Sequence, residues 1–250
     1  MKEELITIPK SIYEAEKKMR FFGENSGEVY KKQFNIFIGI SISNKKITSK
    51  MALNYLKWAI RNTKKKVAVV IADELNIINY KIFDKYSKGK AENRAKRIGD
   101  FFEKMFKNAI QQLDEKDRAK VKIYKWKKIR QNNHYLKIRK FLEKQYNQDL
   151  EFKSAVLYFI KKYMRKKGNK IISDKNKVNK LATYILGELP TLLEGINVEQ
   201  TYYGLCIYPT YFASGMSQFV MDMHAKELDI GKKLKKLIKN KAVLVEAWLD

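Results

Sequence analysis

Phe34-Asn-Ile-Phe-Ile-Gly-Ile40, followed at once by Ser41-Ile-Ser-Asn44, decides how this chain folds. The first part is β-branched and aromatic, side chains that fit a pleated and half-buried surface, so it reads as a strand. The second part is a turn, because Ser and Asn side chains bond back to neighbouring backbone. A helical pattern carried by Leu53, Leu56, Trp58 and Ile60 comes next, and beyond it Val67 to Ala72 is an apolar run too short for a helix that closes on Asp73. Such a run is what a strand buried on both faces looks like, so the segment is a βαβ unit with parallel strands.

Working outward, the pattern predicts a long helix over Lys90 to Leu113, a strand over Val121 to Trp126 and two helices within Gln131 to Lys167. Asp174 to Leu189 reads as another helix, with Pro190 ending it because proline lacks a donor and disfavours helical geometry just before it. Tyr202 to Tyr208 reads as a strand, Gln218 to Asn240 as mostly helical, and Ala242 to Trp248 as a last strand. Alternating strands and helices predict an α/β fold, a mostly parallel sheet covered on both faces. The ligand site of such a sheet lies at the carboxyl ends of its strands, where Ser41, Asp73 and Tyr208 fall. The 3 Pro and 11 Gly are spread thinly, with no repeat and no linker, so residues 1–250 are expected to form a single domain.

No apolar run is long enough to span a membrane, and the MKEELITIPK start has no apolar signal core, which predicts a cytoplasmic protein with no membrane partner. The one cysteine, Cys206, has no disulfide partner and sits in the strand-like Leu-Cys-Ile-Tyr. Lys plus Arg total 53 against 27 Asp plus Glu, a net charge of +26. That balance points to a polyanion, nucleic acid before a membrane surface, although lysine-rich composition also leaves many side chains merely solvated. On the long helix, Lys90, Arg94, Arg97, Lys104 and Lys107 form one basic stripe with Lys96 beside it, while Ile98, Phe102, Met105, Ala109 and Leu113 form an apolar stripe on another face. A helix packed on one side and cationic on the other suits a phosphate backbone.

There is no G-x-G-x-x-G, no P-loop, no G-x-S-x-G elbow and no C-x-x-C pair. The two histidines, His134 and His224, lie in lysine-rich helical stretches without an acidic ligand set. No metal and no cofactor is expected, and a histidine-assisted serine is disfavoured. Ser41 sits where a strand meets a turn over the sheet's carboxyl edge, a place that suits a nucleophile and equally an ordinary turn residue. Tyr184 and Glu188, four apart, share one helix face and could together grip an ammonium group, or form a plain surface or core pair. Tyr208 ends a strand before Pro209, a rim position.

Taken in order, Gly39-Ile-Ser41-Ile-Ser-Asn44, Trp58, the basic helix, Tyr184-Ile-Leu-Gly-Glu188-Leu-Pro190 and Tyr208-Pro209 resemble the cyclodipeptide synthases from about residue 30 to about residue 215. The resemblance implies a Rossmann-like fold similar to the catalytic domains of class I tyrosyl- and tryptophanyl-tRNA synthetases, without their ATP signatures. It also implies an aminoacyltransferase that takes two aminoacyl-tRNAs as substrates. Ser41 matches the serine that accepts the first aminoacyl group, and a second aminoacyl-tRNA then supplies the attacking amine before the dipeptidyl ester cyclises. Tyr184 and Glu188 match the pair that holds the ammonium, with Glu188 as proton shuttle. Tyr208 matches a proton-relay tyrosine and Asn44 an orienting residue. By the same resemblance Phe37, Gly39, Val70, Tyr124 and Cys206 face the pocket for the first aminoacyl side chain, while Lys90, Arg94, Lys96, Arg97, Lys104 and Lys107 meet tRNA. Asn44 together with Pro209 mixes the patterns of two branches of the family. The competing readings are a non-catalytic Rossmann-like RNA-binding protein, in which Ser41 and the Tyr–Glu pair are structural, and a synthetase fragment, which requires ATP binding.

Overall fold

The structure is a computed structural model that describes residues 19–22, 31, 33–166, 174–209, 219–220, 223 and 229–249. Its elements run β1 (Met19–Phe22), β2 (Ile36–Ile40), α1 (Ser49–Asn62), β3 (Val67–Ile71), a 3-10 turn Glu74–Asn76, α2 (Ile77–Phe83), α3 (Lys88–Gln111) and α4 (Glu115–Arg118). They continue as β4 (Val121–Lys125), α5 (Trp126–Ile129), α6 (Asn133–Gln148), α7 (Leu150–Lys166), α8 (Lys175–Glu194), β5 (Ile196–Val198), β6 (Thr201–Tyr203), β7 (Leu205–Pro209), α9 (Asp229–Leu234) and β8 (Val243–Ala247). Much of the helix expected over Gln218 to Asn240 lies outside the described residues, as does Lys167; Phe219, Val220, Met223 and α9 are helical.

The main sheet has the order β1-β8-β7-β2-β3-β4. Its neighbours are parallel except β1, which runs antiparallel to β8. From β2 the chain builds β3 and β4 on one side, then returns to build β7 and β8 on the other. The strand order therefore reverses between β2 and β7, and the crevice beyond their carboxyl ends is where such a sheet holds ligands. Strand alternation sends Ile36, Ile38, Ile40, Val67, Val69 and Ile71 to one face, packed under α1 and α3. Phe37, Ala68, Val70, Tyr124, Cys206 and Leu244 take the other face, covered by α6, α7 and α8. Thr48 caps α1 by accepting from the Met51 amide at 3.2 Å, and the Tyr55 hydroxyl of that helix donates to the Ala247 carbonyl at 2.9 Å, tying it to β8.

Two expectations are corrected. Pro190 does not end its helix, because α8 continues to Glu194 and stops at Gly195, whose φ of 87° is left-handed. The proline crowds the Leu186 carbonyl and costs about 3 kcal/mol. Every residue from Tyr184 to Glu194 is buried, and burying Leu189, Leu192 and Leu193 returns about 1.5–3 kcal/mol each. Two hydroxyls support the carbonyls around the proline: Tyr135 donates to Gly187 O at 2.7 Å and Thr191 to Glu188 O at 2.8 Å. The strand expected over Tyr202 to Tyr208 breaks at Gly204. Glu199 and Gln200 adopt left-handed φ of 49° and 59°, which folds Thr201–Tyr203 back on β5 as a hairpin before the chain joins the main sheet.

Candidate active site at the reversal of strand order

Ser41 leaves β2 at the crevice and is half-buried. Its Oγ lies 2.9 Å from Ser43 Oγ, and the Asn44 amide closes the turn onto the Ser41 carbonyl at 3.0 Å. Both ends of the Asn44 carboxamide are engaged: Nδ2 donates to the Pro209 carbonyl at 2.9 Å and Oδ1 accepts from the Lys46 amide at 3.2 Å. One side chain thus clips the loop after β2 to the end of β7. Ile38 pairs with Ile207, which places Tyr208 level with Gly39 and Pro209 level with Ile40, one residue before Ser41. Continuing the alternation of Phe37 and Gly39 puts Ser41 on the α8 side of the sheet.

Across that crevice α8 presents Glu188, only 5% exposed. Its carboxyl group hydrogen-bonds with Tyr184, one helical turn earlier, and with Tyr208 of β7. Burial pushes its pKa from 4.5 up to about 7, and the two phenols restrain that rise by bonding to the charged form. A carboxylic acid balanced near neutrality can both take and give a proton under ordinary conditions. Cys206 is next to it: burial, then the Glu188 charge, raise the thiol well above its usual range, and the Gly39 backbone bonds to it. A Cβ on Gly39 would stand 3.8 Å from Cys206 Sγ and 3.8 Å from Tyr208 Cδ2, so the bare glycine keeps open the space a methyl group would take.

Phe37 pairs with Cys206 while Gly39 pairs with Val70, and Val70 with Tyr124. These residues share the α8 side of the sheet, as adjacent cross-strand rows. The Tyr124 phenol is turned to the hairpin, donating to Glu199 Oε2 at 3.0 Å beside the Lys122–Glu199 ion pair of 2.9 Å. Burial first, then Tyr203 and Glu199, raise its pKa well above the usual range. The structure therefore joins Tyr184, Glu188, Tyr208, Cys206 and Gly39, sets Ser41 and Asn44 at the adjoining strand end, and gives Tyr124 a partner of its own.

Asp73, at the carboxyl end of β3, is structural. It accepts from the Glu74 and Trp126 amides at 2.9 and 3.3 Å, and burial raises its pKa against those bonds. It also lies against α3, where a Cβ on Gly99 would come within 2.8 Å of the Asp73 Cβ. Gly99 thus marks the level of the carboxyl edge, and Lys88 to Ile98 project beyond it for about 16 Å. Lys90, Arg94, Lys96 and Arg97 belong to this overhang, beyond the carboxyl edge of the sheet at which Ser41 also lies. Lys104 and Lys107 lie further down beside the sheet, and Lys107 is paired with Glu103 at 2.6 Å. All six are exposed except Arg94, which is half-buried. The expected apolar stripe is in the core, with Phe102, Met105, Ala109 and Leu113 buried.

Sequence reasoning passed over Ser43, whose hydroxyl meets that of Ser41; the Ser-Ile-Ser spacing, two residues apart, was the available signal. His134 has one acidic neighbour, Glu194 Oε2 at 2.6 Å from its Nε2, because α8 runs past the point where proline was expected to stop it. His224 lies outside the described residues. Among the described residues no group of three His, Cys, Asp or Glu side chains could hold a metal ion, and no helix is long and apolar enough to cross a membrane.

The cyclodipeptide synthase family profile matches residues 18–227. A search of curated proteins found no match. Among solved structures, a cyclodipeptide synthase from Staphylococcus haemolyticus is 19% identical with a TM-score of 0.69, over 93% of this chain and 99% of that one. A Mycobacterium tuberculosis protein, whose structure demonstrates that cyclodipeptide synthetases are related to type I tRNA synthetases, gives 14% identity and a TM-score of 0.72 over 93% of each chain. A cyclodipeptide synthase from Candidatus Glomeribacter gigasporarum bound to Phe-tRNA gives 16% identity and a TM-score of 0.53, over 86% of this chain and 88% of that one. At these identities the structural likeness establishes the fold.

Proposed function

Because the chain belongs to the cyclodipeptide synthase family, we propose that it condenses the aminoacyl groups of two aminoacyl-tRNAs into a cyclic dipeptide through an ester on Ser41. The observation that carries this reading is the buried Glu188 carboxyl, joined to Tyr184 and Tyr208 and balanced near pH 7, where Tyr208 belongs to the strand paired with the one that ends just before Ser41.

In the first step Ser41 Oγ attacks the ester carbonyl of one aminoacyl-tRNA. A new ester bond forms, the bond to the terminal ribose oxygen breaks, and that oxygen receives the serine proton, so no histidine is needed. The substrate ester is already activated, so no ATP is consumed. The ammonium of the Ser41-bound group lies against Glu188 and Tyr184. A carboxylate with a pKa of about 7 is a competent acceptor for one of its protons. The freed amine attacks the ester carbonyl of the second aminoacyl-tRNA; the peptide bond forms, the bond to that tRNA's terminal ribose oxygen breaks, and the oxygen leaves with the proton the amine gives up. The dipeptidyl ester left on Ser41 then closes on itself as its terminal amine displaces the serine oxygen, which takes up that amine's proton. Glu188 beside the first ammonium favours this assignment of nucleophile over attack by the second amine, which is the order the family resemblance implied. Tyr208, touching Glu188, is the route by which its proton is passed on. Asn44 holds the two strand ends in register, and Phe37, Gly39, Val70 and Cys206 form the surface for the first side chain. Lys90, Arg94, Lys96 and Arg97 receive the phosphates of the RNA.

Incubation with aminoacyl-tRNA followed by intact-protein mass spectrometry tests the scheme. One aminoacyl mass, then a dipeptidyl mass, should appear on Ser41 with release of a diketopiperazine, and Ser41→Ala should show neither. Diketopiperazine release by Ser41→Ala would refute the acyl-serine route, and dipeptidyl-tRNA in place of dipeptidyl-enzyme would reverse the assignment of nucleophile.

A further inference from the structure

Two tyrosines beyond the crevice have no part in the scheme above. Tyr80 in α2 and Tyr86 in the turn before α3 stack with ring centroids 6.4 Å apart and planes 23° from parallel. The Lys90 ammonium stands 4.3 Å from the centre of the Tyr86 ring, and the Arg94 charge reaches Tyr80. Neither tyrosine is fully buried. The turn that displays Tyr86 is firmly built. The Asp84 and Tyr86 amides both donate to the Tyr80 carbonyl at 3.2 Å, and Ser87 caps α3 through the Lys90 amide at 3.4 Å. Lys85 is held at a left-handed φ of 53°, a conformation a lysine adopts only when its surroundings impose it.

We propose that Tyr80 and Tyr86, with Lys90 and Arg94, form a stacking platform for an unpaired nucleobase in the single-stranded 3′ end of the tRNA substrate. This inference rests on the proposed use of aminoacyl-tRNA. The platform stands at the start of the α3 overhang, on the carboxyl side of the sheet, where an RNA lying along Lys90, Arg94 and Arg97 would bring its end toward Ser41. Bases inside a duplex are already stacked, so a flat aromatic ring selects those with a free face. Stacking is indifferent to base identity, which suits a site that serves two aminoacyl-tRNAs in turn. An incoming base would take the ring face now occupied by the Lys90 ammonium. An exposed cation–π contact is weaker than base stacking, and the displaced ammonium is then free for the phosphate of the same nucleotide.

Tyr86, on the turn, is the residue to change, because Tyr80 also packs against the core. Tyr86→Ala should raise KM for aminoacyl-tRNA roughly tenfold with kcat and melting temperature unchanged, while Tyr86→Phe should match wild type. The salt dependence of KM should keep its slope in Tyr86→Ala, in contrast to Arg97→Glu, because stacking releases no counterions. A minihelix RNA with 2-aminopurine in its unpaired 3′ tail should lose fluorescence on binding wild type and Tyr86→Phe but not Tyr86→Ala. An unchanged KM, an equal defect in Tyr86→Phe, a lower melting temperature in Tyr86→Ala, or equal quenching by all three proteins would each overturn the platform. If wild type forms no acyl-enzyme, the proposed function fails on its own account, while the minihelix measurement still decides the platform.

Discussion

Glu188→Gln exchanges a buried ionisable acid for an amide of the same shape, and it should make the protein more stable while stopping turnover. Burial moves the Glu188 pKa from 4.5 to about 7, so the folded state binds this proton more tightly than the unfolded chain does. The associated stability is fully present below pH 4.5 and is lost as pH rises through 7, where the folded protein must hold a desolvated carboxylate. At about 1.36 kcal/mol for each tenfold change in proton affinity, the cost reaches about 3 kcal/mol above pH 8. Glutamine carries no such cost, and its amide can still meet the Tyr184 and Tyr208 hydroxyls. Urea denaturation of wild type and variant at pH 5.5 and 8.5 measures this directly. The advantage of the variant should grow by about 2 kcal/mol between the two, with a melting temperature about 6–12 °C higher at pH 8.5. Diketopiperazine release should fall by at least a hundredfold, the scale on which a positioned proton acceptor contributes. A stability difference that stays constant across this range would refute the claim that desolvation of Glu188 sets its pKa. Turnover near the wild-type rate would remove its role as proton acceptor.

Arg97→Glu should weaken aminoacyl-tRNA use and flatten its dependence on salt, whereas Lys107→Glu should do much less, since Lys107 lies below the overhang and already pairs with Glu103; KM measured across salt concentrations separates them. Tyr135→Phe leaves the Gly187 carbonyl without the hydroxyl now 2.7 Å away and should cost about 1–2 kcal/mol in denaturant. Gly195→Ala meets two obstacles, a φ of 87° and a Cβ that would fall 2.3 Å from the Tyr203 carbonyl oxygen, so its loss should exceed about 3 kcal/mol and abolish soluble expression in the limiting case.

The readable parts of the sequence were those in which local chemistry and tertiary environment agree. The strand before Ser41, the turn after it and the apolar run to Ala72 have one stable solution, and the structure adopts it as β2, α1 and β3. Tyr184 and Glu188 fall on one face by helical spacing alone, and both reach the same carboxyl-centred cluster. What escaped depends on partners distant in sequence. The persistence of α8 through Pro190 rests on the Tyr135 hydroxyl, 52 residues from the Gly187 carbonyl it meets, and on burial that no local window contains. The break at Gly204 follows from two left-handed residues, Glu199 and Gln200, that are neither glycine nor asparagine and so carry no turn signal. The clip between Asn44 and Pro209 joins residues 165 apart in the chain, and β1 is a four-residue edge strand recognisable only once β8 is beside it.

The edge strand β4 has a consequence for self-association. A terminal strand with an unpaired backbone invites a strand from another molecule. Here Lys122 reaches over one face to Glu199, and Lys125 over the other to Asp100 and Glu103. These two ionic straps, one on each side, would have to open before a foreign strand could dock along β4.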